Sequence, residues 1–248
     1  MLESKTLTVQ EEGELCYITI PAFEKTGLVR HCFTTRLGGV SPEPYGMNLG
    51  ISGADAPENV RRNYERIAYA IGSFPGNLVV SAQVHGTEIL RVGVLDRGKG
   101  VVFPREMEAI DGLITDRSQV GLVTIHADCV PLFFLDPRRK AIGLAHAGWR
   151  GTVGKIGAKM IRRMQEDFGS DPADLLTAIG PSIGPCCFEV GEDVAQQFES
   201  VFMDQRAELI RPAKSSGKFY VDLWEANRQT MLSEGVLPEH ITVTDLCT

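Results

Sequence analysis

A 248-residue chain with 43% hydrophobic and 23% charged residues has an ordinary globular composition, long enough to bury a core and too apolar for a disordered one. Its formal net charge of -7 argues against nucleic acid and anionic membranes as partners held by bulk electrostatics. No run approaches the roughly 18 apolar residues of a membrane span, and the acidic start MLESKTLTVQEEGELC carries no secretory pattern, so a cytoplasmic protein is expected.

Six cysteines (Cys16, Cys32, Cys129, Cys186, Cys187 and Cys247) are then read as reduced thiols, with the adjacent Cys186 and Cys187 as two small buried ones. No repeat, low-complexity tract or linker interrupts the chain, so residues 1–248 read as a single domain. Leu37 to Gly53, rich in glycine and proline, is the longest expected loop.

The first helix is predicted from Pro57 to Ile71, where Val60, Tyr64, Ile67, Ala68 and Ile71 recur at helical spacing before Gly72. Strands follow at Asn77 to Val84 and near Glu88 to Val94, and Gly121 to Ile125, Pro131 to Leu135 and Ala141 to Ala145 read as buried strands. A second helix is predicted from just after Gly151 to Phe168, on a stripe of Val153, Ile156, Met160, Ile161, Met164 and Phe168. A short strand at Leu175 to Ile179, helices at Asp193 to Phe202 and Val221 to Glu234, and a strand at His240 to Asp245 complete the order. Strands and helices mix without strict alternation. The predicted class is therefore α+β, a single domain of mixed β-sheets flanked by helices in a layered sandwich, and not a doubly wound parallel sheet.

Three metal-capable residues are each expected just past the end of an apolar strand: His85, Cys129 and His146, separated by 44 and 17 positions. A His/Cys/His set suits zinc by ligand type, with copper as the other choice, and three protein ligands leave a fourth position open for chemistry. Taken singly, His85 also fits a hydrogen-bonded core histidine, Cys129 a small buried hydrophobe and His146 a residue that orients its loop. His126 competes for ligand duty, but its strand is just ending and its ring is expected to point elsewhere. After His146, Gly148-Trp149-Arg150-Gly151-Thr152 feeds a helix whose first amides, with Arg150, suit an anion, while Thr152 also fits an ordinary N-cap. Arg36 is either a second anion ligand or a surface residue.

The stretches Phe33 to Ser41, Asn48-Leu49-Gly50, Gln83-Val84-His85-Gly86, Ala127 to Pro131, Ala145 to Thr152 and Ile179 to Pro185 occur in one order that resembles the laccase-domain family, also called multicopper polyphenol oxidase or peptidoglycan editing factor. The resemblance runs from about residue 30 to the end and implies a metal, usually zinc, on His85, Cys129 and His146. It also implies phosphorolysis of purine nucleosides, including methylthioadenosine, and adenosine deamination, so the implied partners are a small-molecule nucleoside and phosphate. Members of that family continue past Cys-Thr with a Phe-Phe-Ser-x-Arg-Arg-like stretch, whereas this sequence stops at Cys247-Thr248. Deamination further needs a carboxylate to carry protons, for which Asp128 and Asp111 are the candidates. Arg36 is placed with them as a catalytic residue, and Arg150, Thr152 and Asn48 are expected to touch substrate. The alternatives are a Cys129/His146 hydrolase acting on peptidoglycan precursors and a copper-dependent phenol oxidase. The oligomeric state is not legible.

Overall fold

The computed structural model describes residues 2–50 and 55–248. The expected loop from Leu37 is described as far as Gly50, and Ile51, Ser52 and Gly53 lie outside the described residues. The first elements form a small antiparallel sheet of β1 (Thr8–Glu12), β2 (Leu15–Thr19) and, after the single turn α1 (Pro21–Glu24), β3 (Phe33–Thr34). Next come α2 (Pro57–Ala70), β4 (Leu78–Val80), β5 (Ile89–Arg91), β6 (Gly112–Thr115) and β7 (Gly121–Val123). The middle of the chain holds β8 (Val130–Asp136), β9 (Ala141–Ala147), α3 (Trp149–Val153), α4 (Ile156–Phe168) and β10 (Leu176–Ile179). The remainder contains β11 (Glu189–Gly191), α5 (Glu192–Val201), α6 (Arg206–Leu209), β12 (Ile210–Pro212), β13 (Lys218–Val221), α7 (Leu223–Ser233) and β14 (Ile241–Val243).

Six strands in the order β14-β10-β8-β9-β6-β5 make the central sheet. It is mixed: the outer pairs β14/β10 and β5/β6 are parallel, and the inner pairs are antiparallel. Alternation along β8 and β9 divides its faces. Val130, Leu132 and Phe134 with Ala141, Ala145 and Ala147 meet Ile156, Met160, Ile161 and Met164 of α4 and Ala226 and Met231 of α7. Each of the four buried α4 side chains contributes roughly 2 kcal/mol of transfer free energy. The helix lies close because a Cβ on Gly143 would sit 2.7 Å from Met160 Cε and one on Gly112 2.8 Å from its sulfur. On the opposite face, Phe133, Leu135, Ile142 and Ala178 pack against Leu7, Ile18, Ile20 and Phe23 of the first sheet and its helix. The result is the predicted α+β sandwich, with two smaller sheets, β4-β7 and β11-β13-β12, alongside.

Several elements differ from the sequence reading. The helix expected from Gly151 to Phe168 is two helices, because Lys155 takes a left-handed φ of +56° between α3 and α4. The break follows Gly154, where any Cβ would lie 2.7 Å from Thr87 Cγ2. The strand at Gly121 is half-buried rather than buried. Cys186 and Cys187 are exposed, not buried, since they lie on a surface turn after Gly184.

Candidate metal centre

Antiparallel pairing explains how residues distant in sequence converge. The end of β9 runs between the start of β8 and the start of β6, with Val130 opposite Ala147 and Gly112 opposite Ala145. Cys129 immediately precedes β8 and Asp111 immediately precedes β6, so both flank His146. His146 is therefore inside β9 rather than past its end, and Cys129 stands before a strand rather than after one. Alternation puts the His146 side chain on the face away from α4.

His85 arrives from the loop after β4, and Asp111 fixes it there. The fully buried Asp111 carboxylate accepts from the backbone N–H groups of Val84 (3.1 Å), His85 (3.0 Å) and Gly86 (2.8 Å). The same carboxylate accepts from Nδ1 of His146 at 2.9 Å, and the Asp111 carbonyl accepts from the His146 backbone N–H at 2.8 Å. These bonds hold His85 at a left-handed φ of +62°, a conformation that costs a non-glycine residue of order 1 kcal/mol or more. One carboxylate thus orients two of the three candidate ligands.

The donor atoms of His85, Cys129 and His146 all lie within 4.8 Å of one another. With Nδ1 of His146 committed to Asp111, its Nε2 is left to ligate, an arrangement common to metal-binding histidines. A Cβ on Gly148 would lie 2.8 Å from His85 Cδ2 and 3.1 Å from Cys129 Sγ, so only glycine lets both ligand side chains keep these positions. The donor set and its spacing fit zinc, with one exposed ligand (His85), one half-buried (Cys129) and one buried (His146) leaving an open side. Burial works against a charge on His146, but its contacts with Asp111 and Cys129 outweigh this and raise its pKa to about 9. Burial likewise opposes the Asp111 charge, and the His146, Val84 and Gly86 hydrogen bonds overcome it, so the carboxyl titrates below its ordinary range.

His126 is not part of the cluster. Its ring packs 5.1 Å from that of His146, while Nδ1 meets the Cys129 carbonyl at 3.0 Å and Nε2 meets the Thr124 hydroxyl at 2.8 Å. Burial pushes its pKa down to about 3 and keeps it neutral.

The other expected site residues are less convergent. Asp128 is exposed beside Cys129, one carboxylate oxygen accepting from the Thr248 hydroxyl at 3.0 Å. Arg150 is exposed on α3, its guanidinium 4.3 Å from the Trp149 ring centroid. Thr152, expected as an N-cap or a substrate contact, is instead fully buried within α3, and its hydroxyl accepts from Asn227 of α7 at 3.0 Å. Gly148 takes the N-cap position. Asn48 is spent on its own loop, donating to Asp55 at 3.0 Å and accepting from the Gly50 N–H at 2.9 Å. The Arg36 side chain is exposed, and its carbonyl accepts from the Met47 N–H. Among the described residues, no hydrogen bond joins Arg36, Asn48 or Arg150 to the three-ligand cluster. The sequence reading did not single out Gly148 as part of the centre, although its place two residues after His146 was a signal.

The profile of the multi-copper polyphenol oxidoreductase laccase family matches residues 30–248. The purine nucleoside phosphorylase YlmD of Bacillus subtilis (strain 168) is 37% identical over 218 residues, which is 87% of this chain and 78% of that protein. The purine nucleoside phosphorylase YfiH of Escherichia coli (strain K12) is 31% identical, covering 93% and 88% of the two chains. Among solved structures, the hypothetical protein YfiH of Bacillus licheniformis superposes with a TM-score of 0.88 at 32% identity, over 96% of this chain and 88% of the other. YlmD of Geobacillus stearothermophilus gives a TM-score of 0.84 at 35% identity, over the same shares. By its sequence and its fold, the chain belongs to the multi-copper polyphenol oxidoreductase laccase family.

Proposed function

We propose that the chain is a zinc-dependent purine nucleoside enzyme. It cleaves adenosine or inosine with phosphate to the free base and ribose 1-phosphate, methylthioadenosine to adenine and methylthioribose 1-phosphate, and it converts adenosine and water to inosine and ammonia. The observation that carries this reading is the three-ligand cluster of His85, Cys129 and His146, open on the His85 side. The names of the phosphorylase relatives supply the substrate class.

A bound zinc supplies Lewis-acid charge stabilisation at the open side. The remaining roles fall to the chain's own groups. Asp111 holds the His146 tautomer and the His85 loop, and its burial suits positioning rather than proton transfer. Asp128, anchored through one oxygen by Thr248, keeps the other free to carry a proton beside Cys129. Arg150 and Arg36, both exposed cations, are assigned to the phosphate. Copper suits the same donor types, but five histidines are too few for a blue site plus a three-copper cluster. We place the enzyme in the cytoplasm. No helix among the described residues is long and apolar enough to cross a membrane.

The test is product analysis by chromatography of adenosine incubations, with and without phosphate, on zinc-loaded protein and on Cys129→Ala. Phosphate-dependent adenine, or inosine without phosphate, lost in the variant, is the expected result. Absence of product from protein shown to hold zinc would overturn the reading. A second reading, with Cys129 as nucleophile and His146 as base, draws on the closeness of the Cys129 sulfur to a His146 ring nitrogen, within 4.8 Å. It predicts activity that survives or rises with chelator, whereas the zinc reading predicts its loss.

A further inference from the structure

Three more thiols meet on the surface, away from Cys129 in sequence. The sulfur atoms of Cys186, Cys187 and Cys247 lie within 4.8 Å of one another, with Cys186 and Cys187 at 3.4 Å, and all three residues are exposed. Cysteine is among the most buried residue types, so a surface group of three needs a reason. We propose that Cys186, Cys187 and Cys247 form a second metal site, a three-thiolate cradle for one thiophilic d10 cation, zinc or copper(I).

The cradle is built by backbone, not by chance proximity of long side chains. Cys247 pairs with Ser182 across an isolated parallel bridge, with Thr248 N–H donating to the Ser182 carbonyl at 3.2 Å and Ser182 N–H to the Leu246 carbonyl at 3.4 Å. The turn then brings Cys186 and Cys187 round to the same side, closed by Cys187 N–H to the Gly184 carbonyl at 3.0 Å. Gly184 allows the close approach, since a Cβ there would lie 3.3 Å from Cys247 Cβ and 3.0 Å from the Trp224 ring, and these neighbours would have to give way. Trp224 in turn donates from Nε1 to the Ser182 hydroxyl at 2.8 Å and pins the turn to α7.

Polar groups face the cluster. Gly184 N–H donates to Cys247 Sγ at 3.2 Å, and Arg211 donates to the Pro185 carbonyl beside Cys186. Cys186 titrates below its ordinary range because Cys187 and then Cys247 hydrogen-bond to it, while the same contacts push Cys187 up to about 11. Metal binding displaces the thiol protons, so a cation seated among the three sulfurs would replace S–H contacts with metal–sulfur bonds. Three thiolates at about 2.3 Å from a zinc ion stand about 3.8–4.0 Å apart, within the spread seen here. Thiolates select zinc and copper(I) over harder ions, and the exposed side leaves a further position open.

The test uses the reduced full chain under anaerobic conditions. Zinc is titrated in one arm and copper(I) in the other, against wild type, Cys247→Ser and Cys129→Ala, with bound metal counted by mass spectrometry. The expected result in at least one arm is a second bound ion in wild type that Cys247→Ser loses and Cys129→Ala keeps. A readout that needs no variant accompanies it: the same ion slows N-ethylmaleimide modification of Cys186, Cys187 and Cys247 in wild type by roughly tenfold or more. Wild type that binds a single ion in both arms overturns the proposal, as does a second ion retained by Cys247→Ser. Alkylation unaffected by either metal overturns it as well. None of these outcomes depends on nucleoside turnover.

Discussion

Asp111→Asn keeps the shape of the side chain and removes half of what it does. In the native carboxylate one oxygen takes the His85 N–H and His146 Nδ1–H, and the other takes the Val84 and Gly86 N–H groups. An asparagine offers one oxygen and one NH2, so in either orientation two of the four donors face another donor. Hydrogen bonds to a charged acceptor are worth roughly 1.5–3 kcal/mol each, so losing two at a fully buried position costs about 3–6 kcal/mol. For a chain of this size that is a fall in Tm of about 6 °C or more. The His85 loop and the His146 tautomer are both released, and zinc affinity should drop roughly 10- to 100-fold, as for other groups that orient metal ligands. Thermal unfolding of the metal-free protein and competition with a chromophoric chelator measure the two effects separately. If the variant unfolds within about 1 kcal/mol of wild type and holds zinc equally well, Asp111 is not the residue that organises the centre.

Gly148→Ala should damage metal binding with little loss of fold. The new Cβ strikes His85 Cδ2, which can turn away but no longer ligate, so zinc affinity falls about tenfold or more while the melting temperature of the metal-free protein stays close to wild type. Thr152→Val should do the reverse. It leaves the buried Asn227 amide short of an acceptor at a cost of about 1–3 kcal/mol, seen as a lower Tm, with the KM for nucleoside unchanged. Acid should reveal the loop that carries Asn48. Hydrogen bonds from Ser41, Asn48 and Asn59 hold the Asp55 carboxyl at about 2, below the ordinary 3.8. Its contribution is therefore present above the ordinary value and is lost as pH falls through about 2, so the Tm gap between wild type and Asp55→Asn closes on acidification. A gap constant with pH contradicts this.

What could be read from the sequence divides by the kind of signal. Helix α2 and strands β8, β9 and β10 carried clear periodicity or apolar runs and stand close to their expected bounds, whereas the apolar stripe of α4 was legible but the break at Lys155 that separates it from α3 was not. The hairpin of β1 and β2 was not anticipated, since Thr-Val-Gln-Glu-Glu neither alternates nor buries a face. The sheet of β11, β12 and β13 was missed for a related reason: its strands are three or four residues long, and pairing rather than pattern defines them. At the site, residue type identified His85, Cys129 and His146, but the mechanism of convergence, antiparallel pairing around the end of β9, needed the topology. Buried polar roles were the least legible. Thr152 looks like a cap until α7 is seen to bring Asn227 against it, and Asp111 looks like a proton carrier until its four donors are counted.

The parity of β9 has a bearing on folding. Gly143, Ala145 and Ala147 face α4 while Ile142 and His146 face the other way, so a slip of one residue would swing the histidine into the helix-packed core and leave an alanine at the ligand position. Cys129 directly precedes β8, and His146 lies in its neighbour β9. An ion gripping both can therefore form its bonds only in the native alignment of β8 and β9, and its presence during refolding would select that alignment over slipped ones.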